Sequence, residues 1–193
     1  MPGDTVRFVV GEPRVETETC AAIELATPIG PLGVLVTERG VLAVGLSGLD
    51  AAEAAADGLP NLTPGDLPGP IERVRAEFSA YFQGRLRRFT LPIDWRLSSG
   101  YAREVREVLY GSVGYGETIS YGGLARRVSD ANVEGEFGAA RAVGRAMATN
   151  PVPVIVPCHR VLAADGRLHG FGGGLEMKRQ LLALEGAVPD TLF

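Results

Sequence analysis

The residues best suited to chemistry stand in one run, Asn150-Pro151-Val152-Pro153-Val154-Ile155-Val156-Pro157-Cys158-His159-Arg160-Val161. A cysteine attacks carbon as its thiolate, and a nearby histidine and positive charge favour that form. Cys158 ends a proline-spaced apolar segment that a globular chain buries, which sets the thiol at the edge of the core in a fixed geometry. The plainer reading of a lone cysteine is a small buried hydrophobe. Pro157, His159 and Arg160 count against it, and on residue types alone the two readings stand level. Successive side chains of a strand point apart, so His159 can serve Cys158 only if the backbone turns tightly at Pro157-Cys158-His159.

The rest of the inventory narrows the chemistry. The chain has two cysteines, Cys20 and Cys158, and two histidines, His159 and His169. A structural zinc site takes four such ligands, which would consume the reactive pair, so neither a metal nor another cofactor is expected. Two cysteines make no disulfide framework. No GxxxxGK[ST] string marks a nucleotide-binding loop. Taken singly, Gly172-Gly173-Gly174 reads as a flexible loop, Arg141 as a solvated helix charge, and Tyr121 and Glu185 as structural residues. The formal charge of −4 argues at first against nucleic acid, but it is uneven. Residues 1–97 carry 9 basic and 13 acidic groups, whereas residues 98–186 carry 10 and 9. A near-neutral second half with placed arginines permits DNA contact. No apolar run reaches membrane-spanning length and the N-terminus lacks a signal-peptide pattern, so a cytoplasmic location without membrane association is expected.

These groups need a scaffold. Residues 22–25 read as a strand, and residues 32–37 and 41–46 as a hairpin around Glu38-Arg39-Gly40. Residues 49–57 are helix-prone, and residues 59–70, with four prolines, read as a loop. Ile71, Val74, Phe78, Tyr81 and Phe82 fall at helical spacing over 70–83, with Gly84 as the stop. Residues 87–93 read as a final strand. In the second half, helices are expected over 101–110, over 121–128 with Ser120 as N-cap, over 139–149, and over 175–184 with Gly186 as the stop. Residues 129–138 read as a polar connector. Several helices, a turn and a glycine-rich loop resemble a helix-turn-helix with a wing.

The ordered series of motifs resembles the O6-alkylguanine-DNA alkyltransferase (methylated-DNA–protein-cysteine methyltransferase) family. The strings are Pro157-Cys158-His159-Arg160-Val161 after Asn150-Pro151, then Gly172-Gly173-Gly174, Gly116-Glu117-Thr118-Ile119-Ser120-Tyr121-Gly122, Ala139-Ala140-Arg141-Ala142-Val143-Gly144, and Lys178 through Leu181-Leu182 to Glu185-Gly186. Thr27-Pro28-Ile29-Gly30-Pro31-Leu32 and Tyr81-Phe82-Gln83-Gly84 match more loosely. Each piece alone is weak; in order over residues 20–186 they are specific. Phe171 stands where a tyrosine is expected, Tyr101 and Arg106 where more apolar residues are, and Gly114 where a proline is.

The resemblance implies direct reversal of DNA damage: irreversible transfer of an alkyl group from O6-alkylguanine, with O4-alkylthymine as a further candidate substrate, to Cys158 itself. It implies that His159 takes the Cys158 proton through a water, that Glu185 orients His159, that Asn150 holds the preceding turn, and that Tyr121 protonates the leaving base. Ala139, Ala140, Ala142 and Gly144 would enter the minor groove, Arg141 would fill the gap left by a flipped nucleotide, and Arg160 would join the DNA-binding set. Met147, Val161, Leu168, Phe171 and Gly172 would line the base pocket. The expected partner is double-stranded DNA containing O6-alkylguanine, met by a monomer. The expected organisation is an arm over 1–18, a ribonuclease H-like α/β unit over 19–97, a mainly α winged-helix domain with a helix-turn-helix over 98–186, and a tail over 187–193. Two rivals remain: a non-catalytic protein that recognises alkylated bases, and a cysteine hydrolase using Cys158 and His159.

Overall fold

The protein, represented by a computed structural model, is described over residues 17–128 and 135–189. Most of the expected arm, the tail from residue 190 and residues 129–134 of the polar connector, with Asp130 and Glu134, lie outside the described residues.

The N-terminal half is a four-stranded sheet flanked by two helices. β1 (Glu18–Thr27), β2 (Gly30–Thr37) and β3 (Gly40–Gly45) form an antiparallel meander, and β4 (Leu62–Pro64) adds in parallel beside β1, giving the order β3-β2-β1-β4. β1 starts at Glu18, one residue inside the expected arm. Alternation divides the apolar residues between the faces. Val34, Val36 and Val44 join the main core, whereas Leu35, Leu42 and Ala43 pack with Ala52 of α1 (Leu49–Ala56) on the other side. α2 (Pro68–Phe82) buries Val74, Phe78 and Tyr81 against the first face, and Gly84 ends it with a φ of 69°.

Two expectations in this half need correction. The proline-rich stretch 59–70 is not all loop, because residues 62–64 form the edge strand, where a proline costs no internal ladder bond. Residues 87–93 form no strand. Phe89 and Leu91 are buried, which produces the alternating pattern, but Pro92 has no N–H to give and only Ile93 bridges to Val41.

The C-terminal half is mainly helical. α3 (Gly100–Ser112), α4 (Tyr121–Val128) and α5 (Gly135–Ala148) pack on one another, and α6 (Gly174–Leu184) closes the chain. Ser120 caps α4, its hydroxyl accepting from the Gly123 N–H at 3.0 Å. α5 begins four residues before the expected 139. Gly135 and Gly138 lower the propensity of that turn, yet the helix includes it. A short parallel pair, β5 (Ile119–Ser120) with β6 (Val161–Leu162), joins the start of α4 to the segment after Cys158. One hydrophobic core runs through both halves, from Val34 and Phe78 to Val105, Val143 and Leu181.

Candidate active site

The segment between α5 and Cys158 is shaped by what its sequence denies it. Pro151, Pro153 and Pro157 have no N–H, so residues 151–157 cannot continue the helix, and their pairing is confined to a bridge between Pro153 and Val156. Val154 sits at φ 73°, a region that β-branched residues rarely adopt and that surrounding structure must enforce. Four hydrogen bonds do so. The Asn150 side chain donates to the Val156 carbonyl at 2.9 Å and accepts from the Val152 N–H at 3.2 Å, tying the loop across its base. The Val156 N–H reaches the Val152 carbonyl at 2.9 Å, and the Val44 N–H of β3 holds the Pro151 carbonyl at 2.7 Å.

The loop delivers Cys158 into a single 3-10 turn, Cys158–Arg160, closed by the Arg160 N–H on the Pro157 carbonyl at 2.9 Å. The tight turn expected at Pro157-Cys158-His159 is therefore present. Cys158 is 6% exposed and lines a cavity of about 300 Å³ with Tyr121, Gly144, Met147, Ala148, Gly170, Phe171 and Gly172. The cavity therefore lies between the start of α4, the end of α5 and the glycine-rich loop.

Behind the thiol stands a buried polar network. His159 is fully buried; its Nε2 meets Glu185 Oε1 at 2.9 Å. With Nε2–H donating there, Nδ1 keeps the ring's basic lone pair, buried and without a hydrogen-bond partner among the described residues. Glu185 also accepts from Tyr81 Oη at 2.7 Å and from Arg160 through Nε and Nη2, both at 2.8 Å. Burial alone would raise the Glu185 pKa, but the hydrogen bonds from His159 and Arg160 prevail and hold it at about 2. Burial lowers the His159 pKa against the opposing pull of Glu185, so the ring is neutral at pH 7. Gly116, at φ 77°, lets the chain pass Glu185: a Cβ there would lie 2.9 Å from the Glu185 carbonyl oxygen.

Burial pushes the Cys158 thiol up, opposed by the Asn150 amide and by the charges of Lys178 and Arg106. Both cations are buried and held by neutral acceptors. Lys178 Nζ donates to the carbonyls of Val161 and His169 at 2.7 and 2.8 Å. Arg106 donates to the carbonyls of Ala146 and Thr149 and to the Ser98 and Thr149 hydroxyls, capping the C-terminal end of α5. Burial of the Tyr121 hydroxyl raises its pKa, which keeps it a donor.

The structure brings together Cys158, Tyr121, Met147, Phe171 and Gly172 at the cavity, and His159, Glu185 and Asn150 behind it. Gly144, assigned from sequence to the DNA face, lines the cavity. Arg141 is exposed on α5, with Ala139, Ala140 and Ala142 half-buried beside it. Three assignments need correction. Arg160 is no surface DNA contact: its side chain is buried, fixed on Glu185 and on the Val113 carbonyl at 2.7 Å. Val161 is wholly buried in β6 and Leu168 lies outside the cavity lining, because the chain turns away between Cys158 and the glycine loop. Sequence reasoning missed Tyr81, Lys178, Arg106 and Ala148. Two carried a signal: Lys178 is the only lysine, and Arg106 sits on the apolar stripe of α3 beside Val105 and Leu109. Among the described residues no three His, Cys, Asp or Glu side chains cluster to hold a metal ion, and no helix is long and apolar enough to cross a membrane.

Known proteins resemble the chain along most of its length. Residues 23–95 match the family model of the 6-O-methylguanine DNA methyltransferase ribonuclease-like domain, and residues 101–187 match that of the corresponding DNA-binding domain. The methylated-DNA–protein-cysteine methyltransferase of Mycobacterium leprae is 38% identical over 161 residues, 82% of this chain and 88% of the relative. The human protein of that name is 36% identical over 169 residues, covering 84% and 78%. Among solved structures, Mycobacterium tuberculosis OGT in complex with DNA aligns with a TM-score of 0.68 at 33% identity, over 89% of this chain and 96% of that one.

Proposed function

The chain belongs to the methylated-DNA–protein-cysteine methyltransferase family, and from that membership we propose that it repairs O6-alkylguanine in double-stranded DNA by moving the alkyl group, once and irreversibly, onto Cys158. The observation that carries the reading is the cavity of about 300 Å³ with Cys158 in its wall and the Glu185–His159 pair behind it.

In this reading His159 Nδ1 takes the Cys158 proton through a bridging water, and Glu185, anionic and fixed by three side chains, steadies the imidazolium. The thiolate attacks the alkyl carbon in line. The S–C bond forms as the C–O6 bond breaks, and the electron pair goes to guanine. Tyr121 gives a proton towards N3 of the departing base and regains one from water while His159 releases the thiol proton to water, so that on balance the thiol proton replaces the alkyl group. Donors to the leaving group act where charge develops. Lys178 and Arg106 favour the thiolate, and among the described residues no carboxylate pairs with them. A thioether offers water no tetrahedral path, so Cys158 is spent after one event.

A base stacked in duplex DNA cannot reach a recessed thiol, so the nucleotide is flipped out of the helix. We assign α4 and α5 to a helix-turn-helix and the loop after β6 to its wing. The small residues Ala139, Ala140 and Ala142 lie against the minor groove, and Arg141 fills the gap in the stack. The α/β unit over 19–97 is ribonuclease H-like, the catalytic domain spans 98–186, and the protein acts as a monomer. The exposure of Arg141 on α5 supports the DNA-facing assignment. Of the rivals, simple recognition of alkylated bases leaves the buried network behind Cys158 without a purpose.

Intact-mass measurement after mixing a known amount of protein with excess O6-methylguanine DNA tests the reading. One methyl per protein on the Cys158 peptide is expected, with repair reaching a plateau there. Sustained turnover would favour the hydrolase; an unmodified protein that still binds the lesion would favour recognition alone.

A further inference from the structure

Tyr81 belongs to α2 of the N-terminal half, 104 residues before Glu185, yet its hydroxyl donates to Glu185 Oε1 at 2.7 Å. The same oxygen receives His159 Nε2 and Arg160 Nη2. Tyr81 is 1% exposed, and its ring is set edge-on to Phe82 and Tyr115 and packed on Phe89. The neighbouring Tyr110 and Tyr115 satisfy their hydroxyls on backbone carbonyls, those of Phe89 and Leu184. Tyr81 instead donates to the carboxylate behind His159.

We propose that Tyr81 is a positioning residue for the alkyl transfer, fixing the Glu185 carboxylate that orients His159 and thereby making the N-terminal half part of the catalytic apparatus. The inference rests on the alkyl-transfer reading above. The charged and titratable groups facing Glu185 are Arg160 and His159 from the 3-10 turn, Tyr81 from α2 and Tyr115 from the segment after α3; Lys178 of α6 acts on His159 from the other side. Of these, Tyr81 can lose its hydrogen bond with no change of charge and almost none of shape. A carboxylate whose charge is spread over several donors holds an imidazolium less firmly. Without the phenol, Glu185 draws the His159 proton harder, and the ring stays protonated to higher pH, where it accepts nothing from the thiol.

Tyr81→Phe is the test, read in two ways on the full chain. With only two histidines present, the His159 ring can be titrated by NMR beside His169 as internal reference. The His159 midpoint should rise, and the acid limb of the transfer rate should move up with it. Transfer at pH 7 should slow about tenfold, a fraction of the 10²–10⁴ that acid–base catalysis supplies. Tyr110→Phe removes a comparable bond between the same halves, 2.9 Å to the Phe89 carbonyl. It should lower the melting temperature and leave both readouts in place. If Tyr81→Phe behaves like Tyr110→Phe, with a lower melting temperature but an unmoved His159 titration and rate profile, the proposal is overturned while the alkyl-transfer reading stands. A wild-type protein that never alkylates Cys158 overturns both. Should Tyr81→Phe fail to fold, 3-fluorotyrosine incorporation strengthens the donor at nearly constant shape. The His159 midpoint must then fall, and an unmoved midpoint rejects the proposal.

Discussion

Replacing Glu185 by glutamine removes one charge from a buried carboxylate that accepts four hydrogen bonds, and the structure sets the size of the effect. The carboxylate accepts from Tyr81, His159 and twice from Arg160. Its pKa of about 2, against an ordinary 4.5, corresponds to about 3 kcal/mol of native stability at pH 7. An independent route gives a similar size. Glutamine presents an amide NH₂ to a guanidinium that has only donors, leaving the buried Arg160 charge uncompensated, and breaking such a pair costs about 3–5 kcal/mol. The two routes describe the same interaction, so they overlap and do not add. Glu185→Gln should therefore lose about 3 kcal/mol at pH 7. The pH dependence follows from the sign of the shift. Because the folded pKa is depressed, the carboxylate stabilises the native state fully above about pH 4.5, and that contribution fades as pH falls towards 2. The Glu185 contribution to the gap between wild type and variant should be constant from pH 7 to 5 and fade below that. His159, buried neutral, adds an acid sensitivity that begins near its ordinary value of 6.5 and is greater in the variant, which lacks the Glu185 charge that supports its protonation, so this part widens the gap as pH falls. Urea unfolding followed by fluorescence of Trp95, the only tryptophan, measures the gap. A loss below about 1 kcal/mol at pH 7, or a gap that shrinks between pH 7 and 5, would refute the reasoning.

Three further outcomes are expected. Cys158→Ala should abolish methyl transfer while leaving folding and DNA binding intact, and Cys20→Ala should change neither; both are read by mass and by gel shift. Arg141→Ala should slow repair of duplex DNA at least about tenfold, because unstacking costs a few kcal/mol. The same variant should barely affect free O6-benzylguanine, which has no stack to leave; an equal loss on both substrates would point to a disturbed pocket. Arg106→Leu should destabilise the fold by about 1–3 kcal/mol by stranding the Ala146 and Thr149 carbonyls. It should also slow alkylation of Cys158 by iodoacetamide at fixed pH, since a charge that favours the thiolate is gone; an unchanged rate would remove Arg106 from the electrostatics of the site.

Much of the protein is local, and local features are written in the chain. Helical spacing in α2 and the hairpin turn at Glu38-Arg39 depend on residues within a few positions of one another, so the sequence alone determined those elements. It also determined where the chemistry sits, because Pro157-Cys158-His159 is contiguous and its prolines leave the backbone few other conformations. The sequence misled where an apolar pattern serves burial without a ladder, as at Phe89 and Leu91, and where glycines concealed the start of a helix, as in the first turn of α5. What tertiary structure alone decided is the identity of distant partners. Nothing within a few residues of Arg160 shows that its guanidinium turns inward to Glu185, 25 positions away, rather than out towards phosphate. Tyr81 announces its burial by its place on an apolar stripe, but the carboxylate that receives its hydroxyl lies 104 residues further on. Hydrogen bonds to buried charges are set by the meeting of separate elements, and a one-dimensional pattern records which side chains must leave water without recording which ones they meet.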